Sequence, residues 1–293
     1  MFGKRPDATL CDDVPSYRRM MLYLMRGANE STVNFTQEID VTETAEFIRR
    51  WNETLPHRRI TPFHVCVWAV VRTLEARPQL NRFISGGKTW QRDGTWITYA
   101  AKKRMADEAS PLVTLKERFD PEASFAETVD VFYKDLGQGR SDEKSYTDKE
   151  LDLLLRLPGP LLWIGVKALK GLDTLGLLPR SFVDEDPMFT SVFMANMGSL
   201  KMDSVYHHLY EYGNCPIFAV VGKVEEVAKV EAGRVVARKV MYLRYTYDER
   251  IADGMYAQHS MEYLRGIIED PAAAGAVIPG EGEAAVVPLA KPE

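Results

Sequence analysis

Residues 247–254 read Tyr-Asp-Glu-Arg-Ile-Ala-Asp-Gly, and this stretch is more informative about the fold than any other part of the chain. Residues 235–247 before it are predicted to form a strand, and residues 254–268 after it a helix. The stretch therefore places several charged side chains at a strand-to-helix junction, with an Asp-Gly pair where the helix begins.

Predicted helices and strands alternate along the rest of the chain. Apolar periodicity predicts helices at residues 15–28, 44–53 and 63–76, and strands at residues 32–41, 191–197 and 217–227. Thr42 is predicted to cap the second helix, and Thr61-Pro62 to open the third, whose nearly continuous apolar character is typical of a buried helix. Residues 83–91 and 95–101 are predicted to pair as a hairpin around Asp93-Gly94. No glycine-rich phosphate loop follows a strand, so a Rossmann or P-loop fold is not supported.

Composition limits the classes of function. With 293 residues, of which 45% are hydrophobic, the chain can bury the core of one large domain. The formal net charge is −5 and the basic residues are scattered, which argues against nucleic-acid binding. Cys11, Cys66 and Cys215 are too few and too widely spaced for a disulfide framework or a zinc site, so a cytoplasmic location is expected. The first residues lack an apolar core of signal-peptide length, and export is not expected.

Residues 247–254 resemble the Asp-His-Arg-x-x-Asp-Gly motif of the dihydrolipoyl acyltransferases and the related chloramphenicol acetyltransferases. The resemblance includes ITPFHVCVWAVVRTLEARPQLN at 60–81, FMANMG at 193–198 and CPIFAVVGKVEE at 215–226, and it covers about 14–116 and 191–271. It implies an α/β two-layer sandwich, a mixed sheet covered by helices, like chloramphenicol acetyltransferase. It also implies coenzyme A or acyl-coenzyme A as cofactor, a small acyl ligand, and a homotrimer or a multiple of three such as a cage. The active-site channel would then lie between chains.

Two departures from the motif weaken the implied chemistry. Glu249 stands where the family has its catalytic histidine, and an ordinary carboxylate, with a pKa near about 4.3, is a weaker base than an imidazole near about 6.5. Ala195 stands where the family has its oxyanion-stabilising serine, and losing one such donor costs roughly 100- to 1,000-fold in turnover. The expected function is therefore that of a pseudoenzyme, a binding or assembly scaffold that has lost histidine-dependent acyl transfer.

A rebuilt active site is the alternative. The segment 204–214 is about four residues longer than the corresponding family loop and contains His207 and His208. Either histidine would act as base, Glu249 would orient it, and Asn196 or backbone amides would hold the oxyanion. An ordinary loop pair packed beside tyrosines is the simpler interpretation, and no ligand spacing specifies a metal.

Asp253 and His64 are two further candidates, each with a structural interpretation. Asp253 keeps the motif's aspartate, but an Asp-Gly turn beside an arginine is structural as often as functional. His64 lies on the predicted buried helix and is expected to be a hydrogen-bonded core residue.

The predicted domain runs from residue 14 to residue 271, between an N-terminal arm at 1–13 and a flexible tail at 272–293 with an apolar run at 284–290. No lipoyl domain or lipoyl group is expected on this chain, which looks like a free-standing catalytic-type domain. An apolar helical insertion is predicted at about 138–186, with a mobile loop at 138–149.

Within this insertion, residues 151–178 are too often interrupted by charge and proline to span a bilayer. A helical hairpin packed on its own subunit or on a neighbour is favoured. An interfacial membrane helix and a lid over an acyl channel are the alternatives.

Overall fold

A six-stranded mixed sheet forms one layer of the protein and helices form the other. The structure, a computed structural model, describes residues 4–102, 112–139 and 157–280. The helices are α1 (Ser16–Leu24), α2 (Thr42–Thr54), α3 (Pro62–Ala76), α4 (Phe125–Gly139), α5 (Gly159–Leu175), α6 (Arg180–Glu185) and α7 (Gly254–Glu269). The strands are β1 (Ala8–Leu10), β2 (Thr32–Asp40), β3 (Arg82–Ser85), β4 (Lys88–Arg92), β5 (Thr95–Lys102), β6 (Leu112–Phe119), β7 (Val192–Asn196), β8 (Ile217–Glu231) and β9 (Arg234–Asp248).

The large sheet has the order β2-β9-β8-β7-β5-β6. Strand β7 runs parallel to both β5 and β8, whereas the other pairs are antiparallel, so the sheet is mixed as predicted. Side chains alternate between the two faces of β7. Val192 and Met194 join the main core under α2, α3 and α7, while Phe193 and Ala195 face the opposite side, which we call the open face.

A second sheet, with the order β1-β4-β3, shows that the predicted hairpin around Asp93-Gly94 is wrong. Strand β4 pairs with β3 through a turn at Gly86-Gly87, whose positive φ angles of 60° and 67° suit a two-residue hairpin. Gly94 also has a positive φ, of 76°, but it leads the chain from the small sheet into the large one, where β5 pairs with β6 and β7. Gly86-Gly87 and Asp93-Gly94 both have the sequence signal of a tight turn. The pairing of strands far apart in the chain decides which of the two turns closes a hairpin.

The N-terminal residues predicted as an arm belong to the fold. Strand β1 pairs with β4, and Arg5 is buried with its guanidinium bound to Asp7 and to Asp173 of α5 at 2.7–3.0 Å. Arg5 also donates to the hydroxyl of Ser85 at 3.1 Å. This buried network joins the N-terminus, the small sheet and α5.

The helix caps match the prediction in one case and differ in the other. Thr42 is the first residue of α2 rather than its cap, and Asp40 Oδ1 accepts from the Thr42 N–H at 2.9 Å because Val41 has no side chain able to do so. Thr61 caps α3 in a capping box with His64. Burial lowers the pKa of His64 to about 4, so this histidine is the hydrogen-bonded core residue that was predicted.

The tail begins later than predicted, because Ala276 and Ile278 are buried in the main core. Residues 281–293, with the apolar run at 284–290, lie outside the described residues, as do residues 140–156 of the insertion.

Within the described residues, the apolar insertion packs on its own subunit only in part: Leu178 and Val183 are buried and Leu169 packs against their cluster. The favoured hairpin, packed on its own subunit or on a neighbour, stays a prediction. Of the α5 residues only Asp173 is buried, and large apolar side chains along the helix are exposed. Among the described residues, no helix is both long enough and apolar enough to cross a bilayer.

Candidate functional site

The turn between β9 and α7 is built by a buried ion pair. Arg250 donates to both carboxylate oxygens of Asp248, through Nε at 2.8 Å and Nη2 at 2.7 Å, and its backbone N–H donates to the same carboxylate at 3.0 Å. Burial raises the pKa of Asp248, although the hydrogen bonds from Arg250 oppose this shift. Arg250 also reaches the carbonyl of Met25 at 3.3 Å, so the pair holds the turn against the end of α1.

Glu249 is attached to the rest of the protein through its backbone. Its N–H donates to the Ser31 carbonyl at 2.9 Å, and its own carbonyl accepts from Arg18. Within the described part of the chain, its carboxylate has no hydrogen-bond partner, and the residue is half-buried. Among the described residues, no side chain therefore holds the Glu249 carboxylate in place, and the carboxylate positions no other side chain.

Asp253 caps α7. Its carboxylate accepts from the N–H of Tyr256 at 2.8 Å, which satisfies one of the free donors at the start of the helix. The residue is exposed and also lines a cleft of about 150 Å³ with Arg18 and Arg250. Glu249 and Asp253 thus share one turn, as the sequence requires.

A second cleft, of about 190 Å³, lies on another side of the turn, and Arg250 lines both. We call it the main cleft. Its walls are Asp248 and Arg250, residues 26–28, the turn between β3 and β4, the C-terminal part of α5 and residues 210–216.

Most charges in the main cleft are already neutralised by the protein. Its charged lining residues are Arg26, Lys170, Asp173, Glu211, Asp248 and Arg250. Ion pairs join Asp248 to Arg250, Asp173 to Arg5 and, at 3.7 Å, Glu211 to Lys170. Arg26 alone of these has no ion pair within the described ranges.

Two polar residues of the main cleft make contacts that were not predicted from the sequence. Glu211 accepts from the Asn29 N–H at 3.0 Å, and although burial opposes ionisation, backbone hydrogen bonds from Asn29 and Ala28 lower its pKa. Asn214 is buried, and its Oδ1 accepts from Arg92 at 2.7 Å while its Nδ2 has no partner. Because these contacts join residues 122 or more positions apart, no local pattern could have revealed them.

Because Arg26 is the one charge of the main cleft without an ion pair in the described ranges, the cleft fits a single carboxylate better than it fits the polyphosphate of coenzyme A. Within the described residues, no group of three or more histidine, cysteine, aspartate or glutamate side chains could hold a metal ion.

The histidine pair lies on the open face of the sheet. His207 stacks on Phe218 of β8 with ring centroids 4.0 Å apart and planes 11° from parallel. Its Nδ1 lies 2.8 Å from the His208 carbonyl, and since a carbonyl only accepts, Nδ1 carries the proton and Nε2 is the basic nitrogen. His208 is exposed and packs edge-on against Tyr210.

The histidines and Glu249 form no dyad within one chain. His207 lies on Phe218, which pairs with Thr246, three residues before Glu249. At about 3.3 Å per residue, Phe218 and Glu249 are therefore separated by roughly 10 Å along the strand direction. Neither histidine lines the two clefts described here.

Ala195 and Asn196 also lie away from the turn. Ala195 packs on the open face with Leu209 and Phe218, and Asn196 Oδ1 accepts from the Ser199 N–H at 3.1 Å, which leaves only its Nδ2 to donate to a ligand. Ala195 pairs with Val220, and Val220 with Arg244, five residues before Glu249. With about 4.8 Å between strands and about 3.3 Å per residue, Ala195 and Glu249 are roughly 19 Å apart.

The candidate residues therefore fall into two half-sites. The turn half-site contains Glu249 and Asp253, and the open-face half-site contains His207 and His208, with Ala195. Asn196 follows Ala195 at the end of β7, where the alternation of the strand directs it to the other face. One chain does not bring them to a common point.

Residues 190–276 match the family model described as 2-oxoacid dehydrogenases acyltransferase (catalytic domain). The lipoamide acyltransferase component of the branched-chain alpha-keto acid dehydrogenase complex of Pseudomonas aeruginosa is 39% identical over 61 residues, which are 20% of this chain and 14% of that protein. The match therefore spans a small part of that relative's length.

Solved structures resemble the chain over most of its length. Dihydrolipoamide acetyltransferase of Azotobacter vinelandii, whose serine, histidine and asparagine were examined for their role in its catalytic mechanism, gives a TM-score of 0.60 at 13% identity, covering 90% of this chain and 94% of that one. The cubic core of the pyruvate dehydrogenase multienzyme complex gives 0.59 at 13%, with the same coverage. A chloramphenicol acetyltransferase gives 0.56 at 14%, covering 90% of this chain and 98% of that one.

This chain has the fold of the dihydrolipoyl acyltransferase and chloramphenicol acetyltransferase catalytic domains. All five candidate residues fall inside the range matched by the family model. In this acyltransferase fold the junction of β9 and α7 carries the motif turn, and β7 carries Ala195 and Asn196.

Proposed function

We propose that this chain is an acyltransferase-fold homo-oligomer that has lost histidine-dependent acyl transfer and serves as a binding or assembly scaffold. The observation that supports this most is the state of position 249. A carboxylate replaces the expected imidazole, and neither His207 nor His208 of the same chain lies beside it to take over proton transfer.

The separation of the two half-sites supports assembly. A substrate cannot contact Glu249 and Ala195 of one chain at once across roughly 19 Å, at the strand spacings of the sheet. A shared site therefore requires a second copy, which would place the turn of one chain against the open face of another. This is the arrangement that the resemblance to the acyltransferase family implies, with three chains around an axis.

The main cleft indicates what such a scaffold could bind. It offers the cation of Arg26, while its other charges are paired. This suits one carboxylate of a small acyl ligand. Among the residues that the structure describes, the main cleft offers no second unpaired cation for the phosphates of coenzyme A.

An active enzyme with a rebuilt site is the second candidate, and the tautomer of His207 favours it. With Nδ1 donating to a carbonyl, Nε2 is free to accept a proton, which is the state required of a general base. In this candidate the base of one chain would meet Glu249 of another.

Thiol release from acetyl- and longer acyl-coenzyme A, with and without amine, alcohol and dihydrolipoamide acceptors, separates the two. The scaffold proposal expects no release above background. Release that is abolished by His207→Ala or His208→Ala, with the oligomer intact, would replace the scaffold by the rebuilt enzyme.

Restoring the motif tests whether the site lacks only its base and its oxyanion donor, or has also lost the ability to bind coenzyme A. Glu249→His with Ala195→Ser should give measurable acyl transfer if the channel between chains still admits coenzyme A, because base and oxyanion donor are each expected to contribute at least roughly 100-fold. A folded double variant that neither binds coenzyme A nor turns over would show that the site itself has gone, which strengthens the scaffold proposal.

Light scattering tests the assembly. We expect a trimer or a multiple of three at micromolar concentration. A stable monomer or simple dimer would contradict the proposed trimer. The two half-sites would then not form a site shared by three chains.

A further inference from the structure

Helix α5 exposes more apolar surface than any other helix of the described chain. Trp163 is 65% exposed, Ile164 56% and Leu161 51%, and Val166, Leu172 and Leu175 are exposed as well. A helix that is apolar around most of its circumference is normally buried in protein or in lipid. The described residues of one chain do not supply a partner for this surface.

The helix is firmly anchored at one end. Asp173 accepts from Arg5 at 2.7 Å and from the Ser85 hydroxyl at 2.8 Å, and Leu169 packs against a buried cluster of Leu178, Val183 and Phe189. The exposed N-terminal part is thus the projecting end of a fixed helix.

The sides of α5 differ in chemistry. At 100° per residue, Leu162, Leu169 and Asp173 form the side that docks on the protein. About 120° around the helix from them lie Leu161, Ile164, Ala168, Leu172 and Leu175, a stripe with no charge, which we call the outer stripe.

The basic residues of α5 lie along one edge of the outer stripe. Trp163, Lys167 and Lys170 follow one another at intervals of four and three residues, and the Lys167 ammonium lies 5.3 Å from the centre of the Trp163 ring. The one acidic residue of the helix, Asp173, is neutralised by Arg5. Lys170 is paired with Glu211 at 3.7 Å, so the free charge of α5 is that of Lys167, which is positive in a chain whose net charge is −5.

We propose that α5 binds the surface of an anionic lipid bilayer and lies in the plane of the interface. The outer stripe faces the acyl chains, the docked side faces the protein, and Lys167 reaches sideways to the headgroups beside Trp163. Tryptophan and lysine at this level are typical of interfacial helices.

One feature favours lipid over a second copy of the chain. Lys167 beside Trp163 is complementary to anionic headgroups, whereas a second α5 would bring the same positive charge to the contact. The proposal is independent of whether the chain transfers acyl groups.

Vesicle flotation with the intact protein provides the test. We expect binding to vesicles of phosphatidylcholine with phosphatidylglycerol at low salt, and much weaker binding to phosphatidylcholine alone. Lys167→Glu should weaken binding roughly 10- to 30-fold, and Leu161→Gln with Ile164→Gln at least about 10-fold. Lys201→Glu, which makes the same charge change at an exposed residue on another part of the surface, should have little effect.

Tryptophan fluorescence gives a second readout. Trp163 is the one exposed tryptophan of the five, since Trp51, Trp68 and Trp90 are buried and Trp96 is partly covered. Anionic vesicles should therefore shift the emission to shorter wavelength and protect it from acrylamide, and Trp163→Phe should remove both effects.

Absence of binding to anionic vesicles at low salt would overturn the proposal. So would an equal loss of binding in Lys201→Glu, which would show only a general charge effect. If Leu161→Gln with Ile164→Gln dissociates an oligomer in light scattering while the native protein ignores vesicles, the outer stripe is a contact between copies. These substitutions are at exposed positions, and circular dichroism confirms that the variants are folded.

Discussion

Replacing Arg5 by methionine should destabilise the protein far more than its position near the N-terminus suggests. The guanidinium makes five hydrogen bonds, to Asp7, Asp173 and Ser85, and its side chain is 2% exposed. The variant keeps most of the volume but leaves two buried carboxylates without their cation. Removing one partner from a buried ion pair typically costs about 3 to 5 kcal/mol.

The matched control is Arg82→Met. Arg82 forms an ion pair with Asp13 at 2.8 Å, but Asp13 is largely exposed, so the same substitution should cost only about 1 kcal/mol or less. Urea unfolding followed by circular dichroism, at one protein concentration, measures both.

With an m-value of about 3 kcal/mol/M, Arg5→Met should lower the midpoint by about 1 to 1.5 M and Arg82→Met by at most about 0.3 M. A midpoint for Arg5→Met no lower than that of Arg82→Met would refute the reasoning. The N-terminal residues would then contribute nothing to the anchoring of α5.

Two further predictions concern stability. Burial lowers the pKa of Lys116 to about 7 in the folded protein. The unfolded chain keeps this lysine protonated up to about pH 10.4, so above pH 7 the unfolded state binds more protons than the folded state. Stability should therefore rise by about 1 to 2 kcal/mol from pH 7 to about 8.5, where unfolded cysteines begin to ionise, and Lys116→Met should remove this rise in urea titrations. Gly213→Ala should cost at least about 2 kcal/mol, because φ is +79° and a Cβ would lie 2.3 Å from the Met188 carbonyl oxygen. In the same assay Gly233→Ala, with φ +77° and open space, should cost about 1 kcal/mol, and equal losses would contradict the clash.

Features that depend on neighbouring residues could be predicted from the sequence. The buried α3 with its Thr61 cap, the strand β7 and the junction of β9 with α7 all follow from local periodicity and end signals. Asp93-Gly94 has an equally good turn signal, yet the hairpin forms at Gly86-Gly87, because β4 pairs with the distant β1 and β5 with β6 and β7. Such pairings are decided by contacts between residues far apart in the chain.

The candidate site was predictable only in its local part. Glu249 and Asp253 share a turn because they are four residues apart, but the distance from Glu249 to Ala195 depends on two strand pairings. The unpartnered Nδ2 of Asn214 could not be predicted from the sequence, because it depends on Arg92 donating to the amide oxygen of the same side chain. The apolar pattern of α5 likewise could not show which side of the helix docks, since this depends on Arg5 capturing Asp173.

The contacts of the motif turn explain why the motif matches its family at some positions and not at others. Asp248 and Arg250 neutralise each other and hold the turn, and Asp253 caps α7, so each contributes to the fold whatever the chemistry of the site. Position 249 contributes only backbone hydrogen bonds, which any residue except proline can make. A substitution there changes the chemistry at little cost to the fold, whereas one at Asp248 or Arg250 would leave a buried charge unpaired. A residue other than histidine at position 249 is therefore compatible with the rest of the motif turn as this chain folds it.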